Sequence, residues 1–199
     1  MVQTIDPVVH GGRNRRYRSA VFLHALGATA SAALVGAVLA TAGWAVGAPW
    51  GRTGPIVVIV VALVYMLREA LRLPITLFDR RRQVPEWWRT FYSAQTAAFL
   101  YGVGLGAGYF TYLTYGTFVV VSAAALVCGN PLLGALLTGP FGLARGLSVT
   151  VGRGRGTEEL MEALERAAQG SWVRTANAFV LALLGAAAAA GLATGSSFS

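Results

Sequence analysis

FLYGVGLGAGYFTYLTYG, from Phe99 to Gly116, decides how the rest of the chain is read. Gly102, Gly104, Gly106 and Gly108 alternate with valine, leucine and alanine inside an apolar run. Tyr109, Phe110, Tyr112, Tyr115 and Phe118 crowd one end of it. Glycines at this density suggest a phosphate-cradling loop, but that motif needs a strand before it and a helix after it. The flanks here are apolar on both sides, so the fingerprint fails its context. The stretch is predicted to be a membrane helix whose glycines let neighbours approach its backbone, ending in an aromatic belt at the outer interface.

Composition agrees. Of the 199 residues, 55% are hydrophobic and only 12% charged, about half the charge content of a soluble domain. Mean hydropathy is +0.59. Runs of roughly 20 apolar residues use up the chain. The expected fold class is therefore all-α: a polytopic integral membrane helix bundle with five or six transmembrane helices, in one transmembrane domain over residues 19–194.

The net charge of +8 rests entirely on arginine, with no lysine. These arginines sit beside the spans, as cytoplasmic loops require, rather than on a basic helix or aromatic platform. No nucleic-acid partner is expected. The expected partners are the lipid bilayer and a membrane-protein partner or a second copy of the chain. Cys128 is the single cysteine, so no disulfide or two-thiol relay can form within the chain.

In order, residues 1–18 form a basic cytoplasmic segment carrying Arg13, Arg15, Arg16 and Arg18. The apolar run after it is too long for a cleaved signal peptide and is read as a retained first span, residues 20–46. Gly27 with Ser31, and Ala32, Gly36 and Ala40, recur at the spacing of close helix packing. A second span covers residues 55–73, with Pro55 in its first turn, where no N–H is needed. An arginine-rich cytoplasmic loop follows, bearing Trp87 and Trp88. The third span, residues 91–112, holds the glycines, and a fourth starts at 118. Residues 157–169 form a short amphipathic surface helix, residues 172–193 the last span, and residues 195–199 a tail.

The fourth span carries the ambiguity. Taken as one helix kinked at Pro131 and ending near residue 140, it makes five spans. Taken as two short spans meeting at Cys128-Gly129-Asn130-Pro131 and running to residue 151, it makes six. With five, fifteen arginines face the cytoplasm and Arg52 alone lies outside; with six, the split is ten to six. Positive-inside bias favours five, with a cytoplasmic N-terminus in a bacterial inner membrane. Against this, about 34 residues exceed what one straight helix needs to cross roughly 30 Å.

Ionisable residues inside a membrane are costly and therefore candidates for function. Glu69, with Arg68 and Arg72, lies near the end of the second span, and Arg145 sits at equivalent depth. A Glu69–Arg72 or Glu69–Arg145 pair could join two helices or line a solute path; the plainer alternative is snorkelling arginines with Glu69 as counter-ion. Cys128, Gly129, Asn130 and Pro131 could expose backbone carbonyls for a solute, or form an ordinary kink or turn. Gly102, Gly104, Gly106 and Gly108 are read as close-packing glycines. His24 stands without a second ligand at metal spacing, so no metal and no cofactor are expected. No HExxH, GxSxG, P-loop or paired carboxylates occur, so the chain is not expected to be an enzyme.

FLHALGATASAALVG in the first span, YGVGLGAG, and a proline-broken segment leading to GPFGLARGL together resemble the DsbD/CcdA-type transmembrane family of cytochrome c biogenesis and thiol-electron transfer, within the small six-span exporters. The resemblance implies six spans in two three-helix repeats. That family's electron transfer uses paired intramembrane cysteines, which are absent here, so the activity is not carried over. The expectation is a transporter-like protein that binds or moves a small solute. The alternative is a non-catalytic accessory or assembly subunit that packs through small-residue helix faces. The two differ in whether the glycines and Asn130-Pro131 border a cavity or are filled by neighbouring side chains.

Overall fold

The computed structural model describes residues 14–73, 75, 91–108, 116–150 and 171–194, and among these it holds helices and no strand. The helices are α1 (Asn14–Ala45), α2 (Thr53–Leu71), α3 (Ala94–Gly106), α4 (Thr117–Cys128), α5 (Pro131–Leu147) and α6 (Ser171–Thr194). A 3₁₀ turn at Ser148–Thr150 extends α5. Four segments are long and apolar enough to cross a bilayer: Arg16–Ala45, Thr53–Leu71, Pro131–Thr150 and Trp172–Thr194. The protein is an all-α polytopic membrane bundle. The expected amphipathic helix at 157–169, the aromatic end of the opening stretch and the N-terminal segment before residue 14 lie outside the described residues.

α1 shows why this is a membrane fold. Ala20, Ala28, Ala32 and Ala40 are fully buried on one face, while Phe22, Leu26, Leu34 and Val38 are exposed on another. A water-soluble helix buries the large side chains; here small ones face protein and large ones face lipid. Packing between helices in a bilayer depends on close approach, because lipid tails solvate leucine as well as a protein core does. α2 makes the same point through Ile56–Val61, a β-branched run of modest helix propensity. It is helical because backbone polar groups in hydrocarbon must pair within the segment.

The helix ends are written locally. Ser93 caps α3, its Oγ accepting the Thr96 N–H at 3.2 Å. Gly108, with φ of 65°, stops the same helix two residues beyond Gly106. Asn130 caps α5: its Oδ1 accepts the N–H groups of Leu132 at 3.0 Å and Leu133 at 3.2 Å, with Pro131 in the first helical position. α5 then continues through Pro140 rather than ending there.

Two compact units share the chain. The first takes residues up to Ala33, Asp79–Tyr112 and Gly139–Ala163; the second takes Leu34–Phe78, Leu113–Thr138 and Leu164–Ser199. In the first, Tyr17, Ala20 and Ala98 are buried together, with Val21 and Val149 against them. In the second, α2 packs on α6 and α4. Its core is Val58, Ala62, Tyr65, Val120, Val127, Leu181 and Ala188.

Candidate functional site

In the first unit the glycine stretch lies against α1. A Cβ on Gly102 would strike the His24 carbonyl oxygen, and one on Gly106 would strike the Ala28 carbonyl oxygen and the Ser31 hydroxyl. Gly27 is the reciprocal contact, since a Cβ there would strike the Phe99 carbonyl oxygen. Backbone meets backbone, so no room for a solute remains at these positions. Gly104 is half-buried, and Gly108 is buried in the left-handed turn that ends α3. His24 is 1% exposed. Its Nδ1 lies 3.0 Å from the Ala98 carbonyl oxygen, while Nε2 has no partner. Among the described residues no three His, Cys, Asp or Glu side chains converge on a possible metal position.

Arg145 belongs to the same unit. Its Nη1 donates to the Leu105 carbonyl at 3.2 Å, and its guanidinium carbon lies 5.6 Å from the centroid of the Phe141 ring. Leu105 is next to last in α3, so its carbonyl is one of the four that a helix C-terminus leaves without an intrahelical donor. Arg145 therefore supplies a donor to a carbonyl that the helix itself leaves open. Nothing in its spacing from Leu105 announced this contact.

Glu69, in the second unit, is 4% exposed and its Oε1 pairs with Arg68. Arg72 occupies the left-handed C-cap of α2, with φ of 56°, and its N–H donates to the Arg68 carbonyl. That carbonyl also accepts the Leu73 N–H at 3.1 Å, and Arg68 Nε donates to the Ile75 carbonyl at 2.8 Å. Arg68 thus closes the end of α2 with both backbone and side chain. Removing one partner of a buried pair leaves the other charge uncompensated. Glu69→Ala is expected to lower detergent-solubilised stability by about 2–4 kcal/mol. Glu69→Gln, which keeps the shape, should lose less; equal stability of all three proteins in a denaturation titration would show that the pair contributes nothing.

The Cys128–Pro131 segment is a closed turn. Gly129 has φ of 60°, and a Cβ there would lie 2.7 Å from the Ala48 carbonyl oxygen, so both conformation and space call for glycine. Buried Cys128 donates its thiol to the Ala125 carbonyl at 3.1 Å. The Asn130 side-chain oxygen is committed to the start of α5. Asn130→Ala should cost about 1 kcal/mol, the usual loss of a cap, read as a drop in melting midpoint. Sequence reasoning also missed a polar contact between helices: Thr117 Oγ1 bonds Asn177 Oδ1, joining α4 to α6. An asparagine inside an alanine- and leucine-rich span was the available signal.

These features define a class: a small polytopic membrane protein whose helices meet backbone to backbone. Comparison with known proteins adds particular relatives. The chain is 30% identical over 137 residues to "Methylamine utilization protein MauF" of Methylobacillus flagellatus, covering 68% of this chain and 48% of that one. It is 34% identical over 128 residues to the protein of the same name from Paracoccus versutus, covering 64% and 46%. With that of Methylophilus methylotrophus it is 28% identical over 141 residues, covering 70% and 50%. The chain spans about half the length of the curated relatives it matches. No family model matches it, and no solved structure does.

These matches correct the expected likeness to the DsbD/CcdA-type family: the proteins found are named MauF. The expectation rested on glycine and proline placement. Close helix packing in a bilayer imposes that placement on many unrelated bundles.

Proposed function

We propose that the chain is a non-catalytic accessory protein of the cytoplasmic membrane that works by docking a partner protein, not by moving a solute. The observation that supports this best is the filling of the glycines: His24, Ala28 and Ser31 occupy the space beside Gly102 and Gly106. A transporter-like protein needs unwound backbone bordering a cavity near the midplane. Here the polar groups near the helix ends serve the fold, with Glu69 on Arg68, Arg145 on Leu105 and Asn130 on the first amides of α5.

The relatives' name supports a setting. Carried to this chain, it supports a role as a membrane component of methylamine utilization. The arginine distribution supports a cytoplasmic N-terminus.

Deletion of the gene from its host tests the reading. Growth on methylamine is expected to fail, while growth on ammonium and a sugar is unaffected, and the wild-type chain restores it. Normal growth of the deletion strain on methylamine would remove that setting. Purified protein in vesicles is expected to carry no labelled methylamine across the bilayer; saturable uptake would overturn the accessory reading in favour of transport.

A further inference from the structure

In the second unit α2 packs against α6, and the row of residues that joins them can be followed to its end. On α2 the buried positions Val58, Ala62, Tyr65 and Glu69 recur at the alternating spacing of one helix face. The next position in that row is Arg72. On α6 the buried Leu181 belongs to the same core, and the row running back from it passes Asn177 and reaches Arg174.

The two helices run antiparallel. Gly116, the N-cap of α4, lies against Tyr65, and Val127, near the end of α4, lies against Gly54, so α4 starts where α2 ends. Thr117 bonds Asn177 in the second turn of α6, which brings the start of α6 to that same end. Deeper in the unit, a Cβ on Gly185 would lie 3.5 Å from the Ala62 methyl. From that pair, Arg72 is reached after about 15 Å along α2 and Arg174 after about 16.5 Å back along α6, at 1.5 Å per residue. Both arginines therefore lie at one depth, where the two rows end.

Charge at this end of the seam is not compensated. Arg68 and Glu69 pair with each other. Arg72 and Arg174 are exposed, and neither side chain makes a hydrogen bond or ion pair among the described residues. Like charges beside a low-dielectric surface repel, and an anion between them removes the repulsion. Trp172, 66% exposed near the start of α6, is a residue of the bilayer interface, and Leu71 and Phe179 are exposed apolar side chains on the same two helices. We propose that this end of the α2–α6 seam binds an anionic phospholipid, its phosphate held by Arg72 and Arg174 and its acyl chains lying along Leu71 and Phe179. Each guanidinium offers paired N–H donors that match phosphate oxygens. A zwitterionic lipid brings its own cation, so two uncompensated arginines select a headgroup of net negative charge. The exposed apolar side chains favour a lipid over an acidic segment of a protein.

Binding is tested on the purified full chain in an uncharged detergent, read by its denaturation midpoint. Phosphatidylglycerol is expected to raise the midpoint saturably, as a ligand of the folded state does. Phosphatidylcholine with the same acyl chains, inorganic phosphate and a polyglutamate peptide should leave it unchanged. Arg72→Gln and Arg174→Gln should each raise the half-saturating phosphatidylglycerol concentration about fivefold, and the double variant about 25-fold. Arg52→Gln, exposed at the opposite end of α2, should keep the wild-type value. Half-saturation is compared within each variant, so a shift in its lipid-free midpoint does not imitate the effect. The proposal is overturned by no response to phosphatidylglycerol, by an equal response to phosphatidylcholine or inorganic phosphate, or by half-saturation that is the same in the double variant as in Arg52→Gln. A response to polyglutamate also overturns it and would assign the surface to an acidic protein segment.

Discussion

Valine at Gly134 is expected to break the seam between α1 and the first half of α5. Gly36 and Gly134 face one another: a Cβ on either would strike the carbonyl oxygen of the other, and one on Gly134 would also lie 2.7 Å from the Ala40 methyl. None of these atoms is the mobile end of a long side chain, so accommodation requires the two helices to move apart. Overpacking a core usually costs about 1–3 kcal/mol where side chains can adjust. With backbone on both sides, the loss should reach or exceed about 3 kcal/mol by that measure. It would be read as a lower midpoint in a detergent denaturation titration.

Gly185→Ala is the matched control. Its Cβ would lie 3.5 Å from the Ala62 methyl, an ordinary contact. Alanine in place of a helical glycine gains about 0.5–1 kcal/mol, so this variant should be neutral or slightly more stable. Similar midpoints for the two variants would mean that close approach at Gly36 and Gly134 does not hold the bundle together.

The contrast between these glycines shows what could be read from sequence. Hydropathy marks α2 and α6 almost to their ends, because apolar length in a bilayer is a one-dimensional property. Spacing marks Gly36 and Ala40 as a contact face for the same reason. The partner of each face is a tertiary fact. Gly134 opposite Gly36, and Thr117 bonded to Asn177 sixty residues away, have no local signature. Glu69 was read either as pairing with Arg72 or Arg145 or as the counter-ion of the neighbouring arginines; its partner is Arg68, the adjacent residue, whose Nε also donates to the Ile75 carbonyl. The third span illustrates a different limit. Gly102–Gly108 read as continuous apolar helix, but Gly108 adopts a left-handed conformation, and glycine composition alone does not say which glycine will do so. Family likeness was the least legible feature, since small-residue spacing follows from the bilayer more than from descent.

Arg145→Leu carries the second large effect. α3 ends at Gly106; the Ala107 N–H still reaches the Val103 carbonyl, whereas the Leu105 carbonyl has no donor within the helix itself. In water, solvent would take it; within a bundle in hydrocarbon, each unpaired group costs several kcal/mol. Arg145 Nη1 holds the Leu105 carbonyl at 3.2 Å while the guanidinium rests beside Phe141, one turn earlier on α5. Leucine fills similar space without a donor, and the expected loss is about 2–4 kcal/mol. Lysine keeps a charge and a donor but not the planar contact with the ring, so Arg145→Lys should fall between leucine and wild type. Arg174→Leu, an exposed position on α6, should stay within about 0.5 kcal/mol of wild type. A purely global effect would lower the denaturation midpoint and leave local exchange unchanged. Loss of the cap should in addition speed hydrogen exchange at the last amides of α3, Val103 to Ala107, before the bundle as a whole opens. Unchanged exchange there, together with a midpoint matching Arg174→Leu, would show that the end of α3 is held by something other than Arg145.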